Sequence, residues 1–420
     1  MAGEVAGVSR ALWKETRARA PGAARFVLRL ATDALRPPQA ASATITVVTD
    51  DVSFGVLRPE WDRLHAASGA RSAFAAFPWA HAWWMEVGRP AGHALRLYVA
   101  REGERVVGIA PLYLALGRAQ ILRTLGDTWV GSEHLDLLAT PEHDSSIGAA
   151  IAGAIAADAQ VDGAHLLDLV EDSALERALG NVVPGLVGVA AESWQTLPYL
   201  ALPGDAASWE ASLSSNMRYN IKRKHKKLEK TYPAVRVRVV DREDALPEAL
   251  DLLFRLHARR WQSKGETGNF VRPEVRAFHR RAAPRLLERK ALRLYQLDVG
   301  EGRIAATLYC LRSGNREQYL QAGFDPAFED VSAGFCLMHR VIAGAADDGM
   351  TEFDFLRGTE SYKTHWASDS RTTRQIRFAR RSARGMAWLA EGRFGRDARD
   401  IVKAALPAEW LAKLRTKLPG

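Results

Sequence analysis

The sequence predicts an α/β protein of two similar units in tandem, each a mixed, mostly antiparallel sheet flanked by helices. Two short sequences recur in the same order: Arg63-Leu-His-Ala66 returns as Arg255-Leu-His-Ala258, and Leu95-Arg-Leu-Tyr98 returns as Leu292-Arg-Leu-Tyr295. The offsets are 192 and 197 residues, and in both copies the second sequence leads into a hairpin with a glycine-containing turn. Ordered repeats at nearly equal offsets indicate a tandem duplication.

The periodicity of the apolar residues gives both units the same element order. Each is predicted to contain one or two amphipathic helices, a hairpin, a further strand, a helix and a last strand. The last three elements are predicted at 135–139, 145–157 and 165–170 in the first unit and at 318–322, 335–347 and 352–356 in the second.

The composition is that of an ordinary globular protein with room for two domains, since 47% of the 420 residues are hydrophobic and 25% are charged. Two cysteines, Cys310 and Cys336, are too few for a disulfide framework or a zinc site, which fits a reducing cytosol. The longest apolar run, 147–157, has 11 residues and cannot span a bilayer. Arginines interrupt any signal-peptide core near the N-terminus. We expect a cytoplasmic protein without a transmembrane helix.

The net charge of +9 belongs to the two ends of the chain. Residues 371–420 hold 13 Lys/Arg against 4 Asp/Glu, residues 1–42 hold 7 against 3, and residues 43–370 carry a net charge of −4. Near the C-terminus four apolar residues share one helical face, with two lysines off it: Trp410, Leu411, Leu414 and Leu418, with Lys413 and Lys417. This pattern is typical of an interfacial helix, and peripheral attachment to an anionic membrane surface is one interpretation. A helix docked on the protein's own core is the alternative.

A predicted helix from Trp209 to Lys230 is strongly basic. Against two acids, Glu210 and Glu229, it carries seven basic residues: Arg218, Lys222, Arg223, Lys224, Lys226, Lys227 and Lys230. Three interpretations are open: a solvated face, a patch for substrate phosphates or a carrier protein, and a nucleic-acid surface. The acidity of residues 43–370 argues against general duplex binding, which needs several phosphate contacts.

The sequence also predicts a site for an anionic ligand. An apolar strand ends at an Asp325-Pro326 turn, and a Ser-Ala-Gly sequence then opens a helix. Free N–H groups and the helix dipole both favour an anion at a helix start. The residues predicted to bind it are Ser332, Ala333, Gly334 and Phe335. An ordinary capped helix is the alternative.

Asp354 lies between Phe353 and Phe355 in a predicted strand, where aspartate is disfavoured. A carboxylate in apolar surroundings has a raised pKa and can act as a base near neutral pH. The alternative is a structural acceptor for loop N–H groups. Glu360, in the loop after the strand, is the other candidate base.

These features resemble the GNAT acyltransferases, in particular the CelD-like (cellulose-biosynthesis type) acetyltransferase domain related to the FemAB aminoacyltransferases. The residues that carry the resemblance are Trp209, Arg218, Arg223, 256–261, Tyr319, 323–325, Ser332, Gly334, 353–355, Gly358, Tyr362, Lys363 and Trp366. In one place the sequence departs from the family. The common phosphate loop reads Gln/Arg-x-x-Gly-x-Gly/Ala, whereas Glu329-Asp-Val-Ser-Ala-Gly334 offers one glycine and two acids.

The resemblance implies an acyltransferase enzyme with a tandem GNAT-like (acyl-CoA N-acyltransferase) fold. The expected donor is acetyl-CoA or another acyl-CoA, with its pyrophosphate at Ser332 to Phe335 and without a metal. The expected acceptor is an amine or hydroxyl of a small molecule, saccharide or envelope precursor, as in polysaccharide biosynthesis. A backbone N–H of residues 319–322 would stabilise the oxyanion, and Tyr319 or Tyr362 would protonate the departing thiolate. The remaining substrate contacts are assigned to Lys363, Trp366, Arg218 and Arg223.

On this interpretation the chain has four segments. They are a basic N-terminal extension (1–42), a degenerate first GNAT-like domain that shapes the acceptor groove (43–203), a catalytic second domain (204–385) and a basic amphipathic tail (386–420). Two other functions stay open: a FemAB-like aminoacyltransferase that uses aminoacyl-tRNA, and a non-catalytic membrane-associated scaffold. Nucleic acid is not an expected partner, apart from tRNA under the first alternative.

Overall fold

The computed structural model describes residues 43–392, apart from 69–71, 128, 181–182, 184, 263–264, 266 and 359. The predicted N-terminal extension and the amphipathic helix near the C-terminus lie outside the described residues. The strands are β1 (Thr44–Val48), β2 (Ala94–Glu102), β3 (Arg105–Ala115), β4 (Ile121–Thr124), β5 (Leu138–Ala139), β6 (Gly163–Val170), β7 (Leu186–Ala201), β8 (Arg236–Val240), β9 (Leu292–Asp298), β10 (Ile304–Ser313), β11 (Arg316–Phe324), β12 (Glu352–Asp354) and β13 (Asp369–Arg380).

The α-helices are α1 (Asp51–Val56), α2 (Arg58–Ala67), α3 (Phe77–Trp83), α4 (Asp144–Ala157), α5 (Ala174–Gly180), α6 (Ala206–Ser212), α7 (Ser215–Thr231), α8 (Leu246–Gln262), α9 (Pro273–Glu288), α10 (Ala333–Asp347) and α11 (Ser361–Thr364). Short 3₁₀ segments lie at Ala73–Ala75, Glu243–Ala245, Asn269–Val271 and Pro326–Val331, and a π-helical turn at Trp84–Gly88. Within the described residues, no helix combines the length and apolar character that a membrane span requires.

The strands form one sheet in the order β1-β2-β3-β4-β6-β13-β7-β12-β11-β10-β9-β8, with β5 beside β3. Its two halves mirror each other, since β1, β2, β3, β4 and β6 of the first correspond to β8, β9, β10, β11 and β12 of the second. Each half contains one parallel pair among antiparallel neighbours, β4 with β6 and β11 with β12. The predicted fold class, two units of mixed and mostly antiparallel sheet flanked by helices, is confirmed.

The two halves exchange strands at the centre of the sheet. Strand β7, which precedes the second half, pairs with β12 through Tyr199 to Ala201, while β13, which follows the second half, pairs with β6 of the first. Strands β7 and β13 also pair with each other. Sheet pairing therefore crosses the predicted boundary at residues 203 and 204, and that boundary stays a prediction.

Most of the predicted elements agree with the structure within two residues, but two predictions need correction. The single helix predicted from Trp209 to Lys230 is two helices, α6 and α7, because Leu213 and Ser214 leave the helical conformation. One strand was also misplaced. The prediction at 135–139 is wrong for its first three residues: Leu135 makes only an isolated bridge to Leu169, and the strand itself is Leu138–Ala139. The carboxylate of Asp136 instead accepts hydrogen bonds from the N–H groups of Ala174 and Leu175 at the start of α5. The strand that occupies the corresponding place in the first half is β4, which the sequence analysis missed.

Two hydrophobic clusters hold the sheet and helices together. The first joins aromatic residues of the first half, such as Trp61 and Trp79, to Phe278 of α9 in the second half. The second contains Trp209, Phe353 and Phe355. Cys310 and Cys336 are buried free thiols, and burial raises the pKa of Cys336 to about 11.

Candidate functional site

A cleft opens where strands β11 and β12 part. The two strands pair only from Arg316 to Gln318, opposite Glu352 to Asp354. Strand β11 then continues beside β10 to Phe324, whereas the chain after Asp354 follows β7, with the Phe355 N–H bonded to the Pro198 carbonyl at 3.0 Å. Tyr319 is the first residue of β11 beyond this pairing, so it stands where the cleft begins.

Two tyrosines and an arginine meet at this point. The hydroxyls of Tyr319 and Tyr362 are 3.3 Å apart, and the Arg260 guanidinium carbon lies 5.3 Å from the centre of the Tyr362 ring. Burial raises the pKa of both phenols, while the nearby Arg260 cation acts in the opposite direction. Both hydroxyls therefore keep their protons at neutral pH.

The sequence analysis included Arg260 in the resemblance but gave it no role. It follows Arg259 in α8, and the two side chains go to different partners. Arg259 pairs with Asp325 at 2.8 Å, whereas Arg260 lies between the rings of Phe324 and Tyr362. Sequence spacing alone could not tell which of the two adjacent arginines faces the cleft.

Glu360 and Lys363 lie beside the tyrosines. Lys363 is on α11, and Glu360 is the N-cap residue just before that helix. The Lys363 Nζ is 3.2 Å from Glu360 Oε2 and also donates to the Arg357 carbonyl. Burial lowers the pKa of Lys363. The Glu360 side chain is 45% exposed, so it is the carboxylate of this group that an acceptor or a water can reach.

Asp354 has an environment different from the one the sequence predicted. Its Oδ2 lies 2.7 Å from Nε2 of His134, and its Oδ1 accepts the Leu356 N–H at 2.8 Å. Burial alone would raise the pKa of Asp354, but the His134 imidazole and the Leu356 N–H outweigh it and hold the pKa below its ordinary value. The predicted raised pKa is therefore wrong, and these bonds fit the alternative of a structural acceptor.

His134 follows Glu133, which belongs to a group of ionisable side chains that joins the two halves. Arg357 contacts the carboxylates of Glu133 and Asp168, the latter at 3.1 Å. Burial raises the pKa of Glu133 to about 8 and also raises the pKa of Asp168, against the effect of Arg357. The sequence analysis missed Glu133, His134 and Asp168 because the first unit shows no site motif, and only the fold brings it to Arg357.

The predicted anion site lies at the start of α10. Ser332 adopts the left-handed conformation (φ 55°, ψ 42°), its side chain makes no cap, and its carbonyl accepts the Cys336 N–H. A Cβ added at Gly334 would meet Phe324 Cδ1 at 3.7 Å, an ordinary contact, so crowding does not require glycine here. Through Phe324 and Arg260 this helix start is connected to Tyr362.

The other predicted substrate residues lie outside the group of Tyr319, Tyr362 and Glu360. Trp366 is 4% exposed and packs against Phe335 and Trp209, with ring centres 4.8 Å and 6.1 Å away. Arg218 is exposed and donates to the carbonyls of Ala211 and Leu213 at the end of α6. Arg223 is also exposed on α7 and donates to Asn220 Oδ1 at 3.4 Å. Their roles in substrate binding stay predictions.

The cavities of the structure lie mainly elsewhere. One of about 610 Å³ in the first half is lined by Arg118, His165, Arg377 and Trp388, among others, and by none of the cleft residues. A small cavity of about 40 Å³, with room for about one water, borders His134. Within the described part of the chain, no group of three or more His, Cys, Asp or Glu residues could hold a metal ion.

The chain is similar to a known domain family and to several solved structures. Residues 215–364 match the family model of the acetyltransferase (GNAT) domain. Among solved structures, FemX matches with a TM-score of 0.55 and 11% identity, over 76% of this chain and 95% of that one. A conserved protein of unknown function from Bacteroides thetaiotaomicron VPI-5482 matches with a TM-score of 0.50 and 12% identity, over 80% and 100% of the two chains.

A tandem GNAT protein from the clavulanic acid biosynthesis pathway matches with a TM-score of 0.40 and 15% identity, over 80% and 97% of the two chains. No curated protein matches the sequence. The similarity to FemX and to the Bacteroides protein shows the fold, and the domain match covers the basic helix, the cleft and Lys363. The protein is thus an acyltransferase that carries a GNAT acetyltransferase domain at residues 215–364, on a fold like that of FemX.

Proposed function

We propose that the protein transfers an acetyl group from acetyl-CoA to an amine or hydroxyl of a small molecule, a saccharide or an envelope precursor. The observation that carries this proposal is the cleft between β11 and β12, which has the tyrosine pair where it begins and the start of α10 connected to it through Phe324 and Arg260. The CelD-like resemblance supports an acceptor from polysaccharide or envelope metabolism.

The chemistry needs alignment and proton transfer, without a covalent enzyme intermediate. The acceptor nitrogen or oxygen attacks the thioester carbonyl carbon, so the new bond to the acyl group forms as the carbon–sulfur bond breaks. A backbone N–H of residues 319–322 stabilises the oxyanion. Tyr319 or Tyr362 gives its proton to the departing thiolate.

The acceptor also loses a proton, and two carboxylates were predicted to take it. Glu360 is supported as the base, directly or through a water, because its side chain is partly exposed beside Tyr362. Asp354 is less suited, since both of its oxygens are already bonded inside the protein. In this proposal Asp354 holds His134 and Leu356 in place and thereby positions the loop that leads to Glu360.

Aminoacyl transfer from aminoacyl-tRNA is the second candidate. The exposed basic face of α7 supports it, because a polyanionic donor could lie there. A non-catalytic scaffold has no comparable support, since the chain carries an acetyltransferase domain.

A donor panel tests the proposal. Native mass spectrometry of the whole protein with acetyl-CoA, acetylated acyl-carrier protein and aminoacyl-tRNA should show a complex with a phosphopantetheine thioester. Candidate amines and saccharides are then added, and the acetylated product is sought by its mass. A complex with aminoacyl-tRNA alone would replace acetyl transfer by the second candidate, and no complex with any donor would reject both.

A further inference from the structure

The basic face of α7 has charges that the protein itself does not neutralise. The helix carries seven lysines and arginines from Arg218 to Lys230, and none of them has a carboxylate partner within the described residues. Its one acid, Glu229, is held by Arg340 of α10 at 2.8 Å. The two chain ends have no excess of acidic residues that could neutralise this face, because residues 1–42 and 371–420 are themselves net positive.

The packing of α7 determines which side chains face outward. Ile221 and Leu228 are buried in the second hydrophobic cluster. The residues exposed on the other side include Lys222, Arg223, Lys226, Lys227 and Lys230. At about 1.5 Å per residue, Lys222 and Lys230 are about 12 Å apart along the axis, which is the length of two turns of a partner helix.

This face borders the predicted donor site. The Lys224 Nζ lies 4.2 Å from the centre of the Phe335 ring, at the third residue of α10. At the other end of α7, the Tyr232 ring lies 5.6 Å from that of Phe328, in the 3₁₀ segment before α10. A macromolecule bound to α7 would therefore lie beside the start of α10, which is the entrance for the donor in this proposal.

The entrance itself carries acidic groups. Glu329 and Asp330 are exposed in the 3₁₀ segment, where the common GNAT loop has no such pair. Free CoA would bring its pyrophosphate and its 3′-phosphate close to these carboxylates. A carrier protein brings the same phosphopantetheine arm with a single phosphodiester, and it places its acidic side chains on α7 instead. Charge complementarity thus favours a carrier protein over free CoA as the donor.

We propose that α7 is the docking surface for a small acidic carrier protein that delivers the acyl group as a phosphopantetheine thioester. The inference rests on the proposed acyl transfer, and it gives the carrier-bound thioester in place of free acetyl-CoA as the preferred donor for that same cleft. The acyl carbon–sulfur bond breaks, the acyl group bonds to the acceptor, and the thiol stays on the carrier. The net charge of −4 on residues 43–370 favours a small partner confined to α7 over a long nucleic acid.

The test compares two charge reversals of equal size in the whole protein. The first is Lys222→Glu with Lys226→Glu on α7. The matched control is Arg105→Glu with Arg118→Glu, two exposed arginines of the first half for which no carboxylate partner lies within the described residues. Binding of fluorescently labelled, acetylated acyl-carrier protein is measured by anisotropy, and binding of acetyl-CoA by calorimetry.

We expect the α7 reversal to weaken carrier binding at least ~10-fold and the control reversal to change it less than ~2-fold, with acetyl-CoA binding the same in all three proteins. Carrier binding should also weaken as the salt concentration rises. Thermal unfolding shows that each variant is folded.

Three results would overturn the proposal while the acyl-transfer function stands, provided that acetyl-CoA still binds. The wild-type protein could fail to bind the carrier, the α7 reversal could leave carrier binding unchanged, or the reversal could abolish binding of a tRNA probe in a protein that ignores the carrier. If neither acetyl-CoA nor the carrier binds the wild type, the proposed function fails together with this inference.

Discussion

At the scale of single residues, the structure gives different environments to two carboxylates that the sequence could not distinguish. Asp354 is the last residue of β12, Glu360 lies in the loop that follows, and both were candidate bases. Asp354 is fully buried with His134 on one oxygen and the Leu356 N–H on the other, whereas Glu360 is partly exposed beside Lys363. The difference depends on His134, which is 220 residues away in the chain, so no local pattern could reveal it.

The first prediction concerns the two carboxylates. Glu360→Gln should lower kcat roughly 100-fold or more with little change in stability, as expected when a general base is lost. Asp354→Asn should instead destabilise the fold by about 1–3 kcal/mol, because it weakens the buried hydrogen bonds of Asp354 with His134 and with the Leu356 N–H. Turnover and urea unfolding of both variants measure these effects. Wild-type turnover in Glu360→Gln would assign the proton to water or to an acceptor that ionises by itself.

The second prediction concerns Gly334 at the start of α10. Gly334→Asp should abolish donor binding without unfolding the protein, because it sets a negative charge among N–H groups that would meet phosphate. Gly334→Ala is the matched control, since its Cβ would make only an ordinary contact with Phe324. Calorimetry with acetyl-CoA measures both. Equal affinity in the wild type and Gly334→Asp would remove this helix start from the donor site.

At the scale of elements, prediction from sequence worked where a segment's own pattern decided the outcome. Helix α10 was expected at 335–347 and is Ala333–Asp347, since its apolar stripe and the Ser-Ala-Gly opening are local signals. Strand β4 is only four residues long, Ile121–Thr124, and Arg123 interrupts its apolar pattern. The exchange of β7 and β13 could not be predicted either, because pairing between distant strands leaves no pattern in the sequence of either strand.

The same pairing of the halves brings the buried carboxyl groups of Glu133 and Asp168 to the half-buried Arg357. It could not be predicted that these three residues, from three separate segments, would meet. Burial raises the pKa of Glu133 from its ordinary 4.5 to about 8, so the folded state holds a proton there that the unfolded state has released. The stability this gives is complete below pH ~4.5 and is lost as the pH rises through about 8.

The third prediction follows from this loss of stability with rising pH. Between pH ~5 and ~9 the wild type should lose at least about 1 kcal/mol more unfolding free energy than Glu133→Gln, whose amide does not titrate. Urea unfolding at the two pH values gives the difference. Glu171→Gln, an exposed change in the same half, should behave like the wild type. A Glu133→Gln variant with the wild-type pH dependence would show that Glu133 is ionised in the folded protein.

At the scale of the whole molecule, the structure moves the point at which the predicted tail begins. The tail was placed at 386–420, but Trp388 lies over Arg377 at 4.6 Å and against Gly163, and Leu389 lies against Gly188. Residues up to 392 therefore pack on strands β13, β6 and β7. A deletion intended to test membrane attachment without disturbing the fold should begin at residue 393.

The last prediction is that removal of residues 393–420 leaves donor binding and thermal stability intact but weakens association with anionic liposomes. These residues hold seven Lys/Arg against three Asp/Glu, together with the apolar face of Trp410 and Leu414. Each basic residue near an anionic surface contributes about 1 kcal/mol, screened over about a Debye length, so the attachment should weaken in high salt. Liposome co-sedimentation of the full chain and the truncated chain measures this. Neutral liposomes are the control. A full chain that ignores anionic liposomes at low salt would rule out the membrane role, and loss of stability on truncation would instead assign these residues to the folded core.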